Sequence, residues 1–247
     1  MAELLSLRGL SKRFGQVTVA ENLDLELDSG HTLGIVGPNG AGKTTLFAMI
    51  SGDLRPDSGK VLLEGKNVTL FAPHKRCHAG IGRTYQIPRP FEKMSVFENV
   101  LVCVRQGARL RGRLAASRAV ETLERTGLIR QANQPAGSLS LLLRKRLEIA
   151  RGLATNPKLL LLDEVAGGLT SPEVSDLTAL IKAIHQDGMA IIWIEHVVHA
   201  LVDTVDRMLC LAGGAMIADG PPHTVLADDA VRELYLGQAP GGSRDAA

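Results

Sequence analysis

The spacing of apolar residues changes several times along the chain, and each change marks a different kind of element. From Leu4 to Leu10 and from Val17 to Leu27 apolar and polar residues alternate, with β-branched residues among them. That is the period of antiparallel strands with one face buried. Thr32-Leu33-Gly34-Ile35-Val36 is a short apolar run of strand type, and Val61-Leu62-Leu63 is another, after the turn residues Pro56-Asp57-Ser58-Gly59. From about Phe91 to Asn133 the period becomes helical, with Val96, Val100 and Val104, then Ala119, Leu123 and Leu128, spaced for one face. A further helix is expected from after Pro135-Ala136-Gly137-Ser138 to about Ala154, ended by Pro157. Leu159-Leu160-Leu161-Leu162 is unbroken, as a strand buried on both faces in a parallel sheet must be, and Ala190-Ile191-Ile192-Trp193-Ile194 reads the same way. Between them Pro172 opens a helix running to about Gln186. Val205 to Leu211 and Ala215 to Ala218, flanking Gly213-Gly214, predict a closing hairpin, with short helices to Leu236. No internal repeat is visible, and the Pro/Gly/Ala-rich segment 238–247 is expected to be a mobile tail.

Between the strand at 32–36 and the helix-compatible run Leu46-Phe47-Ala48-Met49-Ile50 lies Gly37-Pro38-Asn39-Gly40-Ala41-Gly42-Lys43-Thr44-Thr45. A glycine, four variable residues and Gly-Lys-Thr, set between strand and helix, is the phosphate-binding loop pattern. Glycines 37, 40 and 42 let the backbone curl with its N–H groups inward, and the following helix adds its positive end. Lys43 is then placed to reach the outer phosphates, and the Thr44 hydroxyl to ligate an accompanying Mg2+.

Two further sites follow from the strand ends. The run at 159–162 ends in Asp163-Glu164, where ligands of such sheets bind. Asp163 is suited to hold Mg2+ through water, and Glu164 to accept a proton from an attacking water. His196 follows the strand at 190–194 and is expected at the same edge, facing the terminal phosphate.

Composition narrows the partners. With 247 residues, 45% apolar, 22% charged and a net charge of +2, the chain suits one large domain and shows no overall bias toward a polyanion. Basic residues cluster at 105–118 and at Arg144-Lys145-Arg146, read as solvated helix faces or contacts with a protein partner. Five Phe, two Tyr and one Trp leave little for base stacking, so no nucleic-acid partner is expected. Cys77, Cys103 and Cys210 show no CxxC spacing, as expected for reduced thiols. His74, Cys77 and His78 fall within one helical turn, but no fourth zinc ligand is evident. No apolar run reaches the roughly 18–20 residues of a membrane span, so any membrane role is expected to be that of a peripheral subunit.

The phosphate loop, Leu159 to Glu164, Gly82-Arg83-Thr84-Tyr85-Gln86 and Glu195-His196 together make the chain resemble the ATP-binding subunits of ABC transporters, over Leu4 to Gly237. Gly80 to Gln86, Phe91-Glu92-Lys93-Met94-Ser95-Val96-Phe97-Glu98-Asn99, Arg146 to Arg151 and the ending Tyr235-Leu236-Gly237 resemble the branched-chain amino-acid importer branch. The resemblance implies an α/β P-loop NTPase fold with a mostly parallel central sheet, an antiparallel β subdomain and an inserted α-helical subdomain. It implies an ATPase domain over 1–237, with 1–87 and 156–220 as nucleotide-binding core and 88–155 as helical subdomain. It also implies a head-to-tail dimer closing on two ATP molecules with Mg2+. Carried over by position, Phe14 stacks on adenine, although a strand Phe serves a core equally well. Gln86 senses the γ-phosphate and Mg2+, Glu164 is the general base, and His196 contacts the γ-phosphate.

Where the family usually has Leu-Ser-Gly-Gly-Gln, this chain has Leu139-Ser140-Leu141-Leu142-Leu143; Val165 stands for a proline and Thr170 for an aspartate. Ser140 and a helix N-terminus survive to meet a partner's phosphate. The lost glycines remove close backbone approach there. The expectation is a heterodimer with a second ATP-binding subunit, two membrane permeases and, indirectly, a periplasmic binding protein, at the cytoplasmic face of the inner membrane. The competing expectations are a lipid-export ATPase and a nucleotide-binding scaffold without effective hydrolysis.

Overall fold

The computed structural model describes residues 2–236, so the tail expected at 238–247 lies outside the described residues. A long hairpin, β1 (Glu3–Phe14) and β2 (Val17–Asp28), joins β4 (Ser58–Leu63) and β5 (Lys66–Asn67) in an antiparallel sheet of order β2-β1-β4-β5. The second sheet contains β3 (Thr32–Val36), β6 (Ile81–Arg83), β7 (Leu159–Asp163), β8 (Ala190–Ile194), β9 (Arg207–Ala212) and β10 (Ala215–Gly220), in the order β10-β9-β3-β8-β7-β6. Its strands are parallel except for β10, which pairs antiparallel with β9.

Helix α1 (Lys43–Ser51) follows β3, and α2 (Pro73–Ala79) precedes β6. Helices α3 (Val96–Gln106), α4 (Gly112–Arg125) and α5 (Leu141–Ala154) lie between β6 and β7. Then α6 (Ser171–Gln186) joins β7 to β8, α7 (Val198–Val202) joins β8 to β9, and α8 (Pro222–Ala227) and α9 (Asp229–Leu236) follow β10.

The unbroken apolar strands are buried on both faces, and alternate residues serve different cores. Leu159, Leu161, Ile192 and Ile194 pack with α1 and the antiparallel sheet. Leu160, Leu162, Ile191 and Trp193 pack on the opposite face with α6 and the C-terminal helices. The third core is helical: Val96, Val100 and Val104 of α3 meet Ala115, Ala119 and Leu123 of α4 and Leu147, Ala150 and Ala154 of α5.

The helical period predicted over 91–133 divides in two. Gly107 ends α3 and Gly112, at φ 57°, opens α4. Leu128 lies beyond Gly127, outside the helix, yet still fills the helical core. Ser95 starts α3 with a capping box, exchanging hydrogen bonds with Glu98. Strand β4 starts at Ser58, inside the expected turn, and the three-residue edge strand β6 is one the apolar pattern does not predict.

In the parallel sheet Asp163 pairs with Ile194 and Ile35 with Ile194, so β3, β7 and β8 end level. Gly37, Glu164 and Glu195-His196 therefore leave the sheet at one edge.

Candidate active site

Loop 37–42 holds three glycines in the left-handed region, with φ of 144°, 80° and 97° at Gly37, Gly40 and Gly42. At Gly37 a Cβ atom would lie 2.0 Å from the Leu211 carbonyl oxygen, and at Gly42 one would lie 2.1 Å from that of Val19. The loop is thus pressed between β9 and the β1–β2 hairpin, and only glycine fits. Gly40 faces open space. Gly42 caps α1 without any side-chain hydrogen bond, so the helix end faces a cleft of about 220 Å3 lined by Val19, Asn39 to Thr45 and Glu164.

Lys43 is only 5% exposed, and its ammonium donates to the carbonyls of Gly37 (2.7 Å) and Pro38 (2.9 Å). Burial lowers its pKa, opposed chiefly by the Glu164 carboxylate. The charge is therefore stored on the loop's own carbonyls, beside the place where phosphates bind. Thr44 is exposed on the cleft wall.

Asp163 is 2% exposed. Its Oδ2 accepts from Arg83 Nη2 at 3.0 Å, while Oδ1 is buried with no hydrogen-bond partner. Burial raises its pKa, opposed by Arg83. A buried, unpartnered carboxylate oxygen at the edge bearing the phosphate loop is chemically suited to a Mg2+ ion or its water, so the donor set fits the metal expected from the sequence. Among the described residues no group of three or more His, Cys, Asp or Glu is placed to hold a metal ion. His78, considered for zinc, is instead held by the Gln106 carbonyl and Arg109.

Glu164 adopts φ 46°, and its N–H donates to the Ile194 carbonyl at 2.9 Å. This turn points its carboxylate at two residues distant in sequence. Oε2 accepts from Gln86 Nε2, and Oε1 lies 2.8 Å from His196 Nε2. Residues 86, 164 and 196 thus meet at the mouth of the cleft; strand ends place 164 and 196 at this edge, while 86 is expected only from the family resemblance. Gln86 and His196 each engage Glu164, which makes its carboxylate the centre of the cluster.

Phe14 is 52% exposed, which removes the core alternative; it ends β1 beside Lys12, whose ammonium sits 5.5 Å from the ring centroid. The same hairpin carries Val19 onto the phosphate loop. Ser140 is exposed at the head of α5 and makes no capping bond. Of the leucines after it, Leu142 is half-buried against the core on the α6 face of the sheet and Leu143 against the helical core, while Leu141 is 42% exposed. Thr170 caps α6, its hydroxyl and N–H both donating to Glu173.

Two site-supporting residues escape the sequence reading. Arg83 lies within a quoted motif but carries no predicted role, and it ties Asp163 to Asp53 and Ser51. Lys145, read with Arg144 and Arg146 as a solvated or partner-facing cluster, is 3% exposed and donates inward. The signal was its helical phase: four residues before buried Ile149, it shares that residue's face.

The sequence and structure match known proteins across almost the whole chain. A family model described as ABC transporter matches residues 20–167, and one described as Branched-chain amino acid ATP-binding cassette transporter matches 215–240. The high-affinity branched-chain amino acid transport ATP-binding protein LivG of Escherichia coli K12 is 35% identical, covering 96% of this chain and 98% of that protein. The lipopolysaccharide export system ATP-binding protein LptB of Haemophilus influenzae is 33% identical, covering 95% and 98%. A nucleotide-free ATP-binding cassette from an ABC transporter superimposes with a TM-score of 0.86 at 30% identity, covering 96% of this chain and all of that one. The ADP conformation of MJ1267, another such cassette, gives 0.86 at 29%, with the same coverage. With a phosphate loop, an acidic strand tip and this likeness over nearly its full length, the chain belongs to the ATP-hydrolysing, ATP-binding subunits of ABC transporters.

Proposed function

We propose that this chain powers an importer of branched-chain amino acids or related small polar or organic-acid solutes, hydrolysing ATP at the cytoplasmic face of the inner membrane. The observation that carries the chemistry is the Glu164 carboxylate, held between Gln86 and His196 at the mouth of the phosphate-loop cleft. The importer assignment is supported by the match at 215–240 and by the likeness to LivG. A second reading, lipid export, is supported by the comparable identity to LptB. No described helix is long and apolar enough to cross a membrane, in keeping with a peripheral subunit that works on separate permeases.

The loop N–H groups and α1 receive the phosphates, with Lys43 exchanging its carbonyl partners for phosphate oxygens. Thr44, Asp163 and Gln86 would hold Mg2+, which would supply neutralisation of phosphate charge. Glu164 takes the proton of the attacking water, and His196 steadies the γ-phosphate. Replacing Glu164 with Gln keeps the hydrogen-bonding shape but removes the base. ATP binding is retained, the closed dimer persists and turnover falls by about two to four orders of magnitude. Turnover within a few-fold of wild type in the reconstituted complex removes Glu164 from this role.

The partner is a second, different ATP-binding subunit with an intact signature, which completes the site on this chain's own phosphate loop. The isolated chain then shows little ATPase activity, rising on co-expression with that subunit. Full activity from a pure homodimer overturns the heterodimer.

A further inference from the structure

Beneath the three residues at the cleft mouth lie two buried charged groups that the hydrolytic scheme does not use. Lys145 on α5 donates from its ammonium to the main-chain carbonyl of Gln86 at 2.8 Å and to that of Glu164 at 3.2 Å. Glu195, 1% exposed at the end of β8, accepts from the Ala166 N–H at 2.6 Å, the Trp193 indole N–H at 3.2 Å and the His196 N–H at 3.3 Å. Of the carboxylates acting on Lys145, Glu195 acts most strongly, ahead of Glu164, Glu148 and Asp163. The two groups thus grip the backbone of the segments that present Gln86, Glu164 and His196, and each segment comes from a different part of the chain.

We propose that Lys145 and Glu195 form an internal brace that positions Gln86, Glu164 and His196 as one unit for hydrolysis. The idea rests on the reading of Glu164 as base and extends it, since it assigns the placing of that base to α5. Glu164 sits at φ 46°, a conformation that must be over-determined by its surroundings to persist in a non-glycine residue. Its N–H is fixed by Ile194, and its carbonyl accepts from the Gly167 N–H at 3.3 Å and is anchored from α5 by Lys145 at 3.2 Å. Without the ammonium, the carbonyl side of this turn loses that anchor, and the carboxylate loses its register with the water it must deprotonate. Because α5 begins one turn earlier, beside Ser140, displacement of that helix head is transmitted to the base of the same subunit through Lys145.

The test compares Lys145→Met with Lys145→Gln in the full-length chain, assembled with its partner subunits. Glutamine supplies two N–H donors without charge, whereas methionine supplies none. The Met variant is expected to lose at least tenfold in kcat, with KM and the directly measured affinity for a fluorescent ATP analogue within twofold of wild type. The Gln variant is expected to recover at least a third of wild-type kcat. Unchanged emission from Trp193, the single tryptophan and a buried one, reports that the β8 core is intact. If the Met variant fails to fold, Glu195→Gln carries the test, with a loss of at least fivefold in kcat at unchanged affinity.

The brace is overturned if the Met variant keeps kcat within threefold of wild type. It is also overturned if affinity and kcat fall together, or if Gln and Met are equally impaired. Glu164→Gln run in parallel separates the two ideas: turnover in that variant sinks the base, whereas its loss beside an unaffected Lys145→Met sinks only the brace.

Discussion

At the phosphate loop, three glycines of similar conformation are held by different physical constraints. Gly37 and Gly42 lie against carbonyl oxygens of Leu211 and Val19, so an added methyl group has nowhere to go, while Gly40 faces open space. Alanine at Gly40 therefore meets only the backbone cost of a left-handed residue, about 1–2 kcal/mol. Gly37→Ala adds displacement of β9 or the loop. The expected outcome is near-complete loss of nucleotide affinity for Gly37→Ala and a loss of about tenfold or less for Gly40→Ala, read by equilibrium binding of a fluorescent nucleotide. Equal losses in the two variants would contradict the packing argument. The loop was legible from sequence because its chemistry is local, written in nine consecutive residues. The partners of Asp163 and Glu164 were not, because Arg83 lies 80 residues from Asp163 and Gln86 lies 78 from Glu164. Strand ends indicate which residues share an edge, but not which side chains turn toward one another.

Helix α1 is constrained at both ends, and the two ends serve different purposes. Its N-terminus is left open to the cleft. Its C-terminus is closed by Arg76 of α2, buried to 1% exposure, which donates to the carbonyls of Met49, Ile50, Thr69 and Phe71. Burial lowers this guanidinium to about 10, opposed only by Asp53, so it is still charged at neutral pH and complements the negative end of the helix. Arg76→Met leaves those carbonyls without their donor at about 1–3 kcal/mol for each one that cannot rehydrate. We expect a loss of about 3 kcal/mol or more in stability, measured by urea denaturation; a change below about 1 kcal/mol would show that water replaces the arginine. Nothing in the periodicity announces this role, because a lone Arg in Pro73–Ala79 reads as a solvated position. Elements of five residues or more with a clear apolar rhythm, such as β7, β8, α3 and α6, were legible. β6 was not, since Ile81-Gly82-Arg83 offers one apolar side chain and takes its place from pairing with β7.

For the molecule as a whole, the two halves of the nucleotide machinery stand in different condition. The phosphate loop, Asp163, Glu164, Gln86 and His196 are assembled at one sheet edge. The head of α5, which the resemblance assigns to a partner's nucleotide, carries three leucines. Leu142 and Leu143 are half-buried and pack against two separate cores. Leu141 instead leans toward Gly168, near the start of α6.

This two-way anchoring makes the altered signature hard to reverse. A glycine at 142 or 143 would give up a half-buried contact with one of two cores and would loosen a helix turn, the latter alone at about 1 kcal/mol. Two such steps take a sizeable share of the folding margin of an ordinary domain, roughly 5–15 kcal/mol. Glycines at the head of α5 would thus have to be introduced against the stability of this fold, one core at a time.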